Sequence, residues 1–156
     1  MRAAVVTVSD RSSAGTRPDA SGPVAVAALR EAGWECPDAV VVPDGADSVA
    51  GALRAAEDAG ARLIVTTGGT GVAPRDRTPE GTRQVIEREI PGIMEELRRS
   101  GASDTPMALL TRGIAGVTAR ALVVNLPGSP RGVASGMPLV LRLAGHVVAQ
   151  LDGADH

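Results

Sequence analysis

LIVTTGGTGVAPRDRTPE, Leu63 to Glu80, is the stretch on which the reading of this chain turns. An apolar strand over Arg62 to Thr67 runs into a loop with Gly68, Gly69 and Gly71, then a charged turn, then a helix start at Thr78-Pro79-Glu80. The three glycines let the backbone take left-handed or close-approach conformations that a side chain would forbid. Backbone N–H groups beside a helix N-terminus form a natural cradle for phosphate. Asp76 follows a few residues later, where a carboxylate can hold a hard cation against that phosphate. The stretch thus predicts a phosphate-handling site at the carboxyl edge of a sheet.

Working outward, Ala3 to Val8 (AAVVTV) reads as a strand buried on both faces and ends in Ser9-Asp10-Arg11. A polar loop extends to Ser21, a predicted N-cap, with Pro23 in the first turn of a helix that stops at Gly33. Ala39 to Val42 forms a second strand closed by Pro43-Asp44-Gly45, and Asp47 or Ser48 caps the helix that follows, which ends at Gly60. A helix from Thr78 carries Val85, Ile86 and Glu89 up to Ile90-Pro91-Gly92, and helical periodicity resumes over Ile93 to Arg99. Asp104 to Thr118 gives no clear pattern. Ala121 to Leu126 is a strand turned over by Pro127-Gly128-Ser129-Pro130, and Val133 to Leu151 is mostly helix with a break or restart at Pro138.

Strands alternating with helices predict an α/β chain, a three-layer α/β/α sandwich with a mostly parallel sheet. No repeat, linker or low-complexity tract divides it, so residues 1–156 read as one domain. In such a sheet ligands bind outside the carboxyl ends of the strands. All four predicted strands end in polar or glycine-rich turns, and parallel pairing would gather these on one rim.

Composition removes several chemistries. The formal charge of −2 points to neither nucleic acid nor a membrane surface as partner. All 16 basic residues are arginine, which excludes Schiff-base catalysis, a lysine base and a P-loop of the GK[ST] type. Two histidines, His146 and His156, and the lone Cys36 give no zinc-ligand spacing and no nucleophile elbow. Phe and Tyr are absent and Trp34 is the only aromatic residue, so the core is aliphatic and base stacking has no platform. One cysteine suits a reducing compartment. With no apolar run read as long enough for a bilayer and no signal-peptide pattern, the expectation is a soluble, cytoplasmic protein.

Several features carry two readings at this level. Asp44 in Pro-Asp-Gly is good turn chemistry as well as a candidate ligand. Asp76 is a liganding acid or a solvated loop residue, and Ser9 and Asp10 are turn residues or ligand contacts. Thr78-Pro79-Glu80 reads mainly as N-cap, first-turn proline and dipole-favoured acid. Ser129 is a turn residue or an anion contact at a helix entrance.

TVSDR (Thr7 to Arg11), TTGGTG (Thr66 to Gly71), RDRTPE (Arg75 to Glu80), EIPG (Glu89 to Gly92) and NLPGSP (Asn125 to Pro130) occur in this order. Together, over essentially the whole chain, they resemble the MogA/MoaB family of molybdenum cofactor biosynthesis, most closely its molybdopterin adenylyltransferases. The resemblance implies transfer of AMP from ATP to the terminal phosphate of molybdopterin. It also implies Mg2+ as cofactor, a homotrimer, and hand-over of the product to a molybdate-insertion protein. It places essential acids, and the metal, at Asp44 and Asp76. It places substrate contacts at Ser9, Asp10, Gly68, Gly69, Gly71, Glu80, Asn125, Pro127, Gly128 and Ser129, with Thr67 and Thr70 adding hydrogen bonds. Thr111 precedes Arg112 where the family usually has Ser-Arg; threonine keeps the hydroxyl and adds a methyl group, which leaves it a binding candidate. Two other functions fit the same residues: a non-catalytic molybdopterin-binding scaffold, and a nucleotide pyrophosphatase-like enzyme. A second domain for molybdate insertion is not expected from the short C-terminal stretch after the last helix.

Overall fold

The computed structural model describes residues 1–154; His156 lies outside the described residues. In chain order the elements are β1 (Ala3–Val8), α1 (Asp10–Ser13), α2 (Gly22–Glu31), β2 (Val40–Val42), α3 (Ala46–Asp58), β3 (Leu63–Thr67) and α4 (Thr78–Arg83). They continue with β4 (Arg88–Glu89), α5 (Pro91–Ala102), a 3₁₀ turn (Pro106–Leu110), β5 (Ala115–Val117), β6 (Leu122–Leu126) and α6 (Pro130–Leu151). The sheet order is β2-β1-β3-β6-β5-β4. The first four strands pair in parallel, and β5 and β4 add antiparallel pairs at one edge. This is the mostly parallel α/β/α sandwich that the alternation of elements predicts.

The central strands bury both faces, which is why their sequences are apolar throughout. Val5, Val65 and Val124 lie in one register row and point into a core shared with Leu29, Met137 and Val140. Their neighbours Val6, Ile64 and Val123 point the other way, onto Val49 and Leu53. The period of two along each strand therefore feeds two aliphatic layers. α6 is 22 residues long, with a mean hydropathy of 1.3 over its most apolar 18-residue window. By length and composition it could cross a bilayer, contrary to the reading of the sequence. Here its stripe of Val133, Met137, Val140, Ala144 and Val148 is buried against the rest of the fold.

Other departures are local. The helix begun at Thr78 stops at Arg83. The chain then drops into edge pairing, with Glu87 N–H donating to Val117 O and Ile90 N–H to Ala115 O. The unpatterned 104–118 segment contains β5, whose Gly116 admits the Arg88 carbonyl where a Cβ would meet it at 2.5 Å. The loop after Ser9 holds the short α1, capped by the Ser9 hydroxyl. Gly45, not Asp47 or Ser48, is the N-cap of α3. Ser21 precedes α2 as expected, but the Asp19 carboxylate caps it, accepting from Ser21 N–H and Gly22 N–H. α6 runs through Pro138 without ending.

Candidate active site

Four parallel strands bring their carboxyl ends to one rim, so the turns after β1, β2, β3 and β6 meet. Asp10 N–H donates to Asp44 Oδ2 (2.9 Å) and Asp44 N–H to Asp10 Oδ1 (3.0 Å), locking the first two turns together. Gly68 N–H donates to Leu126 O at 3.1 Å, joining the third turn to the fourth. Gly68 is at φ +92°, and a Cβ there would sit 2.3 Å from Val8 O, so only glycine fits between the two strand ends. Gly69, at φ +65°, lies where a Cβ would meet the Thr78 hydroxyl at 2.3 Å and Asp44 Oδ1 at 3.2 Å. Thr78, predicted as an N-cap, is the first helical residue; its hydroxyl instead donates to Gly68 O and its N–H to Gly69 O.

These turns enclose a polar cavity of about 430 Å³. Ser9, Asp10, Asp44, Thr67, Gly68, Gly69, Asp76 and Gly128 line it, so this part of the predicted set is brought together. A second, more apolar cavity of about 400 Å³ adjoins it and contains Thr111, Pro127 and Ser129; Gly128 lines both. Thr70, Gly71, Glu80 and Asn125 line neither. Asn125 is fully buried: it accepts from Ile114 N–H and donates to the Thr66 and Thr82 hydroxyls, which makes it a brace behind the rim. Glu80 pairs with Arg112, whose guanidinium holds its carboxyl below the usual range. The Ser129 hydroxyl caps α6 through Gly132 N–H, and that of Thr67 is shared with Ser21.

The cavity acids differ in how they are engaged. Both oxygens of Asp10 are taken by Arg75, through Nε and Nη2 at 2.9 Å each, and this hydrogen bonding holds its carboxyl low. Asp19 accepts from the Thr7 hydroxyl as well as capping α2. Asp44 and Asp76 are different. Asp44 Oδ2 accepts from Asp10 N–H and Asp76 Oδ2 from Ala73 N–H, while neither Oδ1 has a hydrogen-bond partner among the described residues. Burial pushes the Asp44 carboxyl above its usual range, and the charges of Asp10 and Asp76 add to this. Among the described residues no three His, Cys, Asp or Glu side chains form a metal-binding group on their own. Two carboxylates with one free oxygen each nonetheless fit Mg2+, which is commonly held through one or two carboxylates, waters and substrate phosphates.

The glycine loop supplies donors, though fewer than expected. Gly68 N–H is engaged with β6, whereas the N–H groups of Gly69, Thr70 and Gly71 make no hydrogen bond among the described residues. Arg11 and Arg17 line the cavity and form no ion pair among the described residues. Reading the sequence missed Arg17, Asp19, Arg75 and Arg112 as site elements. Arg75, beside Asp76 in a charged turn, carried a signal; Arg112, which lies 41 positions from the Gly71 carbonyl it binds, carried one only through the Ser-Arg pair of the family.

A raised Asp44 pKa has a consequence for stability. A carboxyl whose folded pKa exceeds its unfolded value favours the fold while protonated, and that contribution is lost as pH rises through the folded pKa. At pH 7 the ionised Asp44 is therefore a local cost. Asp44→Asn keeps an acceptor for Asp10 N–H and removes the charge, so the thermal unfolding midpoint at pH 7 should rise by about 2 °C. The gap should close as pH drops toward the ordinary carboxylate range. A lower Tm for the variant at pH 7 would contradict this account.

Comparison with known proteins agrees with this architecture. A family described as "Probable molybdopterin binding domain" matches residues 4–146. The molybdenum cofactor biosynthesis bifunctional protein of Synechococcus elongatus is 41% identical over 99% of this chain and 48% of its own length, so the chain spans about half of that relative. The molybdopterin adenylyltransferase of Escherichia coli is 33% identical over 95% of this chain and 77% of its own length. The crystal structure of the molybdopterin biosynthesis enzyme MoaB from Thermus thermophilus superposes with a TM-score of 0.89 at 42% identity, covering 98% of this chain and 97% of that one. With the family match, the rim of four turns and the shared architecture in agreement, the chain belongs to the MogA/MoaB family of molybdenum cofactor biosynthesis proteins.

Proposed function

We propose that this chain transfers AMP from ATP to the terminal phosphate of molybdopterin, releasing pyrophosphate. One observation carries the reading: Asp44 and Asp76, each with one anchored and one free oxygen, face one cavity beside the glycine loop. The reaction forms a bond from a molybdopterin phosphate oxygen to the α-phosphorus of ATP and breaks the bond from that phosphorus to pyrophosphate. The attacking oxygen is already ionised near neutral pH, so no proton has to be removed and no general base is needed.

What the reaction does need is relief of repulsion between two anions. Mg2+ held by Asp44 and Asp76 supplies charge neutralisation for the phosphates when bound. The chain adds the free N–H of Gly69 and the charges of Arg11 and Arg17, with Ser9 and Thr67 as hydroxyl neighbours. Catalysis is then positioning and electrostatics. The adjoining apolar cavity, with Thr111 and Ser129 at its wall, suits the flat heterocycle of a substrate whose phosphates lie across Gly128. As part of the same proposal the chain works as a homotrimer, for which the exposed Met107, Leu109 and Leu110 offer apolar surface. Its product passes to a molybdate-insertion activity, in keeping with the bifunctional name of the relative twice its length.

Pyrophosphate release from ATP and Mg2+, measured with and without molybdopterin, tests the proposal. Release that requires both substrates is the expected result. Release without molybdopterin would identify a pyrophosphatase-like enzyme, and saturable molybdopterin binding with no release would identify a binding scaffold.

A further inference from the structure

Asp76 sits in a loop that does not hold itself. Among the described residues its carboxylate accepts only from Ala73 N–H, three residues away in the same loop. Two arginines fix that loop to the body of the protein. Arg75, within it, grips the Asp10 carboxylate and Asp44 O. Arg112 holds its two ends. Its backbone N–H donates to Thr70 O at 2.7 Å, its Nε to Gly71 O at 2.7 Å and its Nη2 to Asp76 O at 2.8 Å. Its Nη1 is held by Glu80 on α4. Gly71 and Asp76 bracket the loop, so one guanidinium clamps both ends of the segment that carries the acid.

We infer that Arg112 is a positioning residue for the metal-binding acid: by clamping the Gly71 and Asp76 carbonyls it aims the Asp76 carboxylate into the cavity opposite Asp44. This rests on the adenylyl-transfer reading only in taking Asp76 to act on metal-bound ATP. Three features support a positioning role over a bland surface ion pair. All three guanidinium nitrogens are used, each on a different acceptor. Two of the acceptors are backbone carbonyls, so the contact fixes main chain. Glu80 Oε2 is buried without a hydrogen-bond partner among the described residues, so Arg112 is the side chain whose hydrogen bond orients the carboxylate. A fork with fixed donor directions can meet these acceptors together, whereas a lysine ammonium presents one point of charge.

The test is a double-mutant cycle on the gain in ATP affinity that Mg2+ confers, read by calorimetry as the ratio of Kd in EDTA to Kd with Mg2+. In Arg112→Ala this gain should fall about tenfold, as for loss of an outer partner of a metal ligand, with the metal-free Kd within about twofold of wild type. Arg112→Lys should show most of the same loss, and serves for the cycle if the alanine variant does not fold. In an Asp76→Asn background neither Arg112 change should cost any further gain, because the carboxylate it aims is already gone. An unchanged gain in the Arg112 variants, losses that add to those of Asp76→Asn, or a wild type with no metal-dependent gain would each overturn the assignment. Pyrophosphate release by the wild type on the same preparations tests the adenylyl-transfer reading separately.

Discussion

Asp76→Asn should lower the rate of AMP transfer by about 10³-fold, roughly 4 kcal/mol of transition-state stabilisation, while molybdopterin still binds. The substitution is close to isosteric, and the asparagine oxygen can still accept from Ala73 N–H, so the loop keeps its shape. Only the charge is lost. If Asp76 and Asp44 jointly hold the cation that offsets phosphate repulsion, removing one charge removes stabilisation that peaks as the two anions meet. Molybdopterin affinity draws on other surface and should change little. Pyrophosphate release at saturating substrate, together with a molybdopterin titration, gives both quantities. Turnover at the wild-type rate would take Asp76 out of the chemistry.

Gly68→Ala should be the most destabilising small change in the chain. A methyl at this position meets the Val8 carbonyl at 2.3 Å, and that carbonyl belongs to a central strand that cannot move aside. The backbone at φ +92° adds strain for any residue with a Cβ. Strain and overpacking together come to ~4 kcal/mol, which in a chain of this size lowers Tm by roughly 10 °C. Gly51 in α3 is the matching control, since a Cβ there meets nothing within 4 Å. Gly51→Ala should leave Tm unchanged or raise it slightly, because alanine favours helix. Equal Tm values for the Gly68→Ala protein and the wild type, by calorimetry, would mean that the strand ends can part.

The parallel half of the sheet was legible because burial on both faces forces continuous β-branched runs, and AAVVTV, LIVTT and ALVVNL can be little else. The convergence of the turns followed from strand direction alone. The antiparallel edge was not legible: β4 is two residues long and β5 is three with a glycine at its centre, too short for any period to show. At the site, sequence pattern named the acids but could not say how each is engaged. Asp10 and Asp44 look alike in sequence, yet one is gripped by Arg75 and the other keeps an oxygen free. Asn125 was expected as a ligand contact from the family resemblance alone, and the side chain turns inward to brace Thr66, Thr82 and Ile114. Such distinctions depend on partners far away in the chain, which local spacing does not encode.

At Gly128 the wall between the two chambers is bare main chain, and the Gly68 Cα is 3.1 Å from where a side chain would begin. That bareness makes the partition a doorway. A long molecule can lie with its head in one room and its tail in the other, and a side chain at the threshold would have to push the facing strand end aside. Filling it would leave two separate rooms that admit fragments singly while refusing the whole.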